Sequence, residues 1–337
     1  IIAMKNNQIT TEKRSTFSAI GSFLFDNKAL VILLFFVVVV SFQNPVFLTK
    51  DNLLNVVRQV AISGVMSLGF TIIMASGCMD LSVGNMLSMI GVIVAILAKI
   101  DGMPLAVACL AGIVVGVVCG VINATISTVF NLAPFIVTLA MGNVFEGATY
   151  LIAGGKPISG LPDTLIHIGQ GYILGIPIPV LILFAVAIIM WLFLSQTKTG
   201  RHILAIGGNV NAARVCGVNV SRTKLIAYIC MGISVALGAI IMDGRVASAQ
   251  VAAGKGMEMD ALAAVVIGGT PLGGGYGNMI GTLIGCLIVG VMNNGLNLLH
   301  VSSYWQMVAK GAIILFAIIL DSISSRVANR RMKESAK

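Results

Sequence analysis

Charge is scarce in this chain, and what there is gathers in a few places. Of 337 residues, 21 are Lys or Arg and 12 are Asp or Glu. That is 10% charged, against about 25% in a soluble domain. Hydrophobic residues make up 58%, and there are 38 glycines. A water-soluble fold of this size has too little interior for so much apolar surface. The composition excludes a soluble enzyme, a disordered chain and a nucleic-acid-binding domain. The net charge of +9 is instead read by position, because Lys and Arg set the orientation of membrane chains.

Four segments are polar: 1–28, 154–178, 197–224 and 322–337. The roughly 240 residues between them hold about ten spans at about 20–25 residues each with its turn. The expected spans lie near 29–44, 56–76, 81–98, 105–128, 134–153, 179–196, 225–243, 260–272, 277–297 and 304–321. The eighth is too short to span alone, and the junction at 76–84 is too tight for two full helices. Broken or re-entrant structure is therefore expected near 76–84 and 268–277. Irregular backbone at membrane depth is tolerated only where protein or a water-filled cavity covers it. The fold class is an all-α polytopic membrane protein. Its parts are an N-terminal segment 1–28, a membrane domain 29–321 containing the loop 197–224, and a basic tail 322–337.

The basic residues sort to one side. Lys5, Lys13, Arg14 and Lys28 lie in the first segment. Lys198, Arg201, Arg214, Arg222 and Lys224 lie in 197–224, and Arg326, Arg330, Arg331, Lys333 and Lys337 in the tail. These are 14 of the 21, whereas 154–178 has Lys156 alone. Keeping basic segments in the cytoplasm places both termini and 197–224 inside, which agrees with ten spans. Met4 is a candidate start, preceded by Ile1-Ile2-Ala3. The first apolar run lacks a cleavage site and reads as a retained span. A short interfacial helix is expected around residues 17–25.

Polar groups inside the apolar runs are the candidates for function. Asp80, in Ser76-Gly77-Cys78-Met79-Asp80-Leu81-Ser82-Val83-Gly84, is an acid near membrane depth, where a charge costs about 2.5–3.5 kcal/mol. Two roles are open to it: capping the next helix together with Ser82, or lining a transport path with Ser82 and Asn85. Asn123 is a further interior amide. Asn143 and Glu146 share a helix face, as do Asn293 and Asn297, with Asn294 beside them. These side chains either tie helices together or line the path. The stretch 78–86 can be laid on 271–279 as a weak internal repeat, and paired interruptions of this kind point to a transport path.

Cys78, Cys109, Cys119, Cys230 and Cys286 lie in or beside apolar runs and Cys216 in a basic loop; none has metal-ligand spacing, nor do His167, His202 and His300. The Gly-rich run from Gly268 to Gly277 is not a phosphate loop, since the chain has no G-x-x-x-x-G-K-[ST]. In 197–224, Asn211 is placed to cap a short helix over 212–216, with Gly217 to end it at a left-handed position. This segment is either a solvated basic loop or a docking element.

Taken together, these residues resemble the permease subunits of bacterial sugar ABC importers of the ribose type, from about residue 44 to residue 321. Three stretches carry the resemblance. The first is Ser76-Gly77 with Asp80-Leu81-Ser82-Val83-Gly84. The second runs from Thr199-Gly200-Arg201 through Gly207-Gly208-Asn209 to Ala212-Ala213-Arg214 and Gly217. The third runs from Asp260-Ala261 through Gly268-Gly269-Thr270 and Gly281-Thr282-Leu283-Ile284-Gly285 to Asn293-Asn294-Gly295-Leu296-Asn297 and Val301-Ser302-Ser303-Tyr304. Cys78-Met79 departs from the usual small or apolar pair, and Pro271-Leu272-Gly273 from a common Ser-Leu-Ala-Gly.

The resemblance implies a permease in the cytoplasmic membrane that imports a monosaccharide by alternating access, and is not itself an enzyme. It implies a homodimer, a cytoplasmic ATPase subunit that uses ATP and Mg, and an extracytoplasmic sugar-binding protein. No cofactor is expected on this chain. Gly200, Arg201, Gly207, Asn209, Ala212, Ala213, Arg214 and Gly217 are then the elements that couple to the ATPase. The low aromatic content of 6% suits a weak, fast-releasing path. An ion-coupled secondary transporter using Asp80 and Glu146 is the alternative.

Overall fold

The computed structural model describes residues 28–100, 102–312, 315 and 319. The expectations for 1–27 and the tail from 320 lie outside the described residues. The described chain is helical: α1 Lys28–Gln43, α2 Lys50–Ala75, α3 Val83–Ala98, α4 Leu105–Val129, α5 Pro134–Ala153, α6 Asp163–Gln170, α7 Ile178–Gln196, α8 Lys198–Gly208, α9 Val210–Val215, α10 Val220–Val246, α11 Met257–Ile267 and α12 Met279–Leu298. Residues 303–312 are also helical. The strands are two-residue pieces. β1 Ile158–Ser159 pairs antiparallel with β4 Ser248–Ala249, and β2 Tyr172–Ile173 with β3 Ile176–Pro177.

Six of these helices, α2, α4, α5, α7, α10 and α12, are long and apolar enough to cross a membrane. α1 and α3 have 16 residues each and α11 has 11. The expected eighth span at 260–272 is corrected in its bounds: α11 runs from Met257 to Ile267, and 268–278 is irregular. The expected break at 76–84 is present over residues 76–82. A third interruption, at 247–256, was not expected from the sequence. There Ala247 and Gly256 both have positive φ and the chain makes tight turns before α11.

Helix ends are set by local chemistry. Asn44, Thr197, Asn209, Asn219 and Asn278 each accept a backbone N–H from the turn they open, as side-chain N-caps do. Gly154 ends α5 in the left-handed region.

α2 is the central post. Every residue from Gly64 to Ala75 is buried, as in a helix that is apolar all round and enclosed by others. It packs on α10, α12, α7 and α11. Thr71 and Thr282 share a hydrogen bond of 2.7 Å, pinning α2 to α12. α4 lies along α10 through Gly116 and Gly120, four residues apart. A Cβ at Gly116 would collide with Gly232 O, and one at Gly120 with Tyr228 O. Small residues at this spacing let two helix backbones touch. By contrast α4, α5 and α7 carry exposed Val107, Leu110, Val114, Leu139, Ile188 and Leu192, as helices facing lipid do.

The two ends of the bundle are distinct. At one end Lys99 Nζ donates to Ser159 O and Gln170 Nε2 donates to Arg245 O. This end carries the 154–178 segment. At the other, the end of α2 meets α8 and the 268–278 break.

Candidate functional site

Residues 197–219, expected as a loop with one short helix, fold as two helices. Thr197 Oγ1 accepts from Gly200 N at 2.9 Å and opens α8. Gly200 fits there because a Cβ would strike Phe193 O and Leu194 O. Ile203 and Ile206 are buried, while Arg201 stays exposed. The cap of the second helix is corrected: Asn209, not Asn211, accepts from Ala212 N at 3.0 Å, and α9 spans Val210–Val215. α8 ends at Gly207-Gly208, so the first Asn after that pair takes the capping position. Gly217, with φ +83, closes α9 as expected. Gly217 N bonds Arg214 O and Val218 N bonds Ala213 O, both at 3.0 Å. This is the Schellman arrangement. On α9, Ala213 is buried, Ala212 and Arg214 are exposed, and Val215 is 89% exposed. An apolar side chain presented at such a tip was not singled out from the sequence.

Behind this element three glycine clusters converge. A Cβ on Gly207 would overlap Ala75 O and Gly275 N. A Cβ on Gly274 would overlap Gly77 N. Gly275 N donates to Ala75 O at 2.9 Å. The α8 end therefore touches both expected breaks at once, and neither Gly207 nor Gly274 has room for a Cβ. Asn278 staples the second break: its Nδ2 donates to Gly268 O, and its Oδ1 accepts from Gly281 N. The helices after the two breaks do not start in register with the 78–86 and 271–279 alignment. Asn85 is the third residue of α3, whereas Asn278 is the cap of α12.

Asp80 sits in the first break and is wholly buried with Ser82. Its Oδ1 accepts from Ser82 N at 2.9 Å and from Ser82 Oγ. Its Oδ2 accepts from Asn123 Nδ2 at 3.2 Å, and the same amide also donates to Ser82 Oγ at 2.9 Å. Thr138 Oγ1 accepts from Leu81 N, and Asn85 Nδ2 donates to Gly142 O. The result is a polar knot that joins the start of α3 to α4 and α5. Asp80 braces the approach to α3, since its oxygens bond Ser82 rather than the first-turn amides of α3.

The other predicted residues separate. Asn143 is exposed on α5, and Glu146 on the same face pairs with Lys255 at 3.7 Å. Lys255 belongs to the third interruption, which seats Gly254 against Gly84, with Gly254 N bonded to Ser88 Oγ at 2.9 Å. Asn293 and Asn294 are buried. Asn294 exchanges amide hydrogen bonds with Asn52 at 2.8 and 3.0 Å. Asn293 Nδ2 reaches Asp260 Oδ2 at 3.4 Å, and the same oxygen takes a salt bridge from Lys310 at 2.9 Å. Asn297 Oδ1 accepts from Gln306. Of the face predicted for Asn293 and Asn297, one end is thus buried and the other exposed. The partners Asn52, Thr138, Lys255 and Lys310 were not found from the sequence.

A helix bundle with six candidate spans, interrupted helices and glycine-closed junctions fits a membrane permease. The chain belongs to the family described as branched-chain amino acid transport system / permease component, which matches residues 52–318. It is 44% identical to the ribose import permease protein RbsC of Bacillus subtilis (strain 168), over 94% of this chain and 98% of that one. It is 40% identical to the ribose import permease protein RbsC of Escherichia coli (strain K12), over 89% of this chain and 95% of that one. Against the D-allose transport system permease protein AlsC of the same strain the identity is 35%, over 83% and 86%. No solved structure gives a significant match.

Proposed function

We propose that this chain is the membrane permease of an ABC importer for ribose or a related monosaccharide, in the cytoplasmic membrane of a bacterium. The relatives named for ribose and allose transport support the substrate class. Two copies form the path, a binding protein delivers the sugar, and a cytoplasmic ATPase subunit supplies energy from ATP and Mg. Both termini and α8–α9 lie in the cytoplasm, in keeping with the basic residues there.

One observation carries the mechanism: the α8 end packs on both breaks through Gly207, Gly77 and Gly274. α9 docks in the ATPase by Val215 and the exposed Ala212 and Arg214. Closure of the ATPase moves α9 and α8 as one piece, and the glycine junction passes that motion to the ends of α2 and α12. Helices packed this closely have few intermediate positions, so a small push favours one of two arrangements.

The path runs along the polar strip of Asn143, Glu146 and Lys255 on α5 and the third interruption. Such groups are costly against lipid and belong beside water or a second copy. Sugar hydroxyls meet amide and carboxylate groups there, and no covalent chemistry is needed. The test is sugar uptake by vesicles carrying V215D: transport falls at least tenfold while the chain still inserts. Normal uptake by that variant removes the docking assignment.

A further inference from the structure

Where α2, α10 and the 154–178 segment meet, a cavity of about 580 Å³ is lined by Asn55, Arg58, Gln170, Tyr172, Arg245 and Val246. It holds two guanidinium groups and no carboxylate. Arg58 Nη2 donates to Gln170 O at 3.2 Å, and its guanidinium lies 4.7 Å over the Tyr172 ring. Arg245 Nη2 donates to Asn55 Oδ1 at 2.9 Å. These acceptors are neutral carbonyls, so two positive charges share one cavity with no ion-pair partner among the described residues. Arg58 Nε is buried and has no hydrogen-bond partner among the described residues. Like charges held together in a partly dry site repel, and an oxyanion between them removes that repulsion and supplies acceptors for the free N–H groups.

Depth and surroundings select the kind of anion. Arg58 lies about 25 Å along α2 from its far end at Ala75, at about 1.5 Å per residue, and the hydrocarbon core is about 30 Å thick. With Ala75 at one face of the core, the Arg58 backbone lies near the opposite face, and its long side chain brings the cavity within reach of headgroup phosphates. The β2–β3 hairpin beside it turns through Leu174 and Gly175, both at positive φ. Its Ile173, Leu174 and Ile176 are apolar and exposed, with Leu174 at 97%, and its Tyr172 suits the membrane interface. A neutral sugar does not answer two unpaired charges.

We propose that this cavity binds the phosphate of an anionic lipid headgroup, with the hairpin tip resting in the adjoining membrane interface. Arg58 and Arg245 clamp the phosphate, Tyr172 holds the Arg58 plane in place, and Asn55 orients Arg245. The bound lipid links the end of α2 to the end of α10.

The test uses the whole importer, purified and stripped of lipid. Short-chain phosphatidylglycerol, phosphatidylcholine and inorganic phosphate are each titrated, with bound lipid counted by native mass spectrometry. Wild type prefers phosphatidylglycerol. R58Q/R245Q binds it about 30-fold more weakly, and R58K/R245K keeps most of the affinity. Equal phosphatidylglycerol binding by wild type and R58Q/R245Q overturns the proposal. Inorganic phosphate binding as tightly as the lipid assigns the site to a free anion instead and also overturns it. So does a Gln variant that keeps its lipid but loses the sugar-binding protein, since the cavity then takes a protein carboxylate. Should R58Q/R245Q fail to assemble, wild type decides: equal binding of the two lipids refutes the site.

Discussion

Gly275 donates its backbone N–H to Ala75 O at 2.9 Å, joining the end of the central helix to the second break in the chain. Gly207, at the end of α8, fits against this same pair of atoms. The contact leaves no room for a side chain, so G207V forces the backbones apart, at a cost of about 1–3 kcal/mol for overpacking. The expected outcome is a chain that inserts and binds its ATPase while sugar uptake falls at least tenfold. Measured ATP hydrolysis without transport identifies the loss as one of coupling.

Ala213 is the buried residue of α9, at 5% exposure. A213R drives a long charged side chain into the contact with α8 and tilts Val215 away from any partner. Pull-down of the ATPase subunit by the variant is expected to drop, with membrane levels unchanged. Undiminished capture and uptake count against the docking role of α9.

D80A leaves the Ser82 hydroxyl and amide without their acceptor in a buried site and the Asn123 amide with Ser82 Oγ alone. An unmade buried hydrogen bond costs about 1–3 kcal/mol. The melting temperature is expected to fall, with N123A falling less because one carboxylate oxygen keeps both its Ser82 bonds. D80N keeps part of the knot and lies between wild type and D80A. A D80A protein as stable as wild type excludes the knot.

The long apolar helices and the break at 76–82 were legible because their signals are local: apolar runs and glycine punctuation. Gly217 as a helix stop was legible for the same reason. Asn209 was not distinguished from Asn211, since either can cap and only the end of α8 at Gly208 decides between them. The partners of the polar candidates were hidden by distance along the chain. Asn52 and Asn294 lie 242 residues apart, and Ser88 and Gly254 lie 166 apart. Nothing in a local window says that Asp80 meets Asn123 rather than water. The interruption at 247–256 lacked an apolar run of its own, so it passed for a connection.

Lys310 and Asp260 form a salt bridge at 2.9 Å between the helix that follows α12 and the short α11. Removing one partner of a shielded pair costs more than removing both. D260A is expected to lower the melting temperature more than D260A/K310M does. Additive effects in that cycle contradict the coupling.

The central claim is that ATP hydrolysis on a partner subunit drives sugar through this chain. Its most direct test is uptake of labelled ribose into proteoliposomes holding the permease and its ATPase, with the sugar-binding protein outside. The account predicts uptake that requires ATP inside and persists when a protonophore collapses the proton gradient. Uptake that stops on adding the protonophore while ATP is held constant contradicts it.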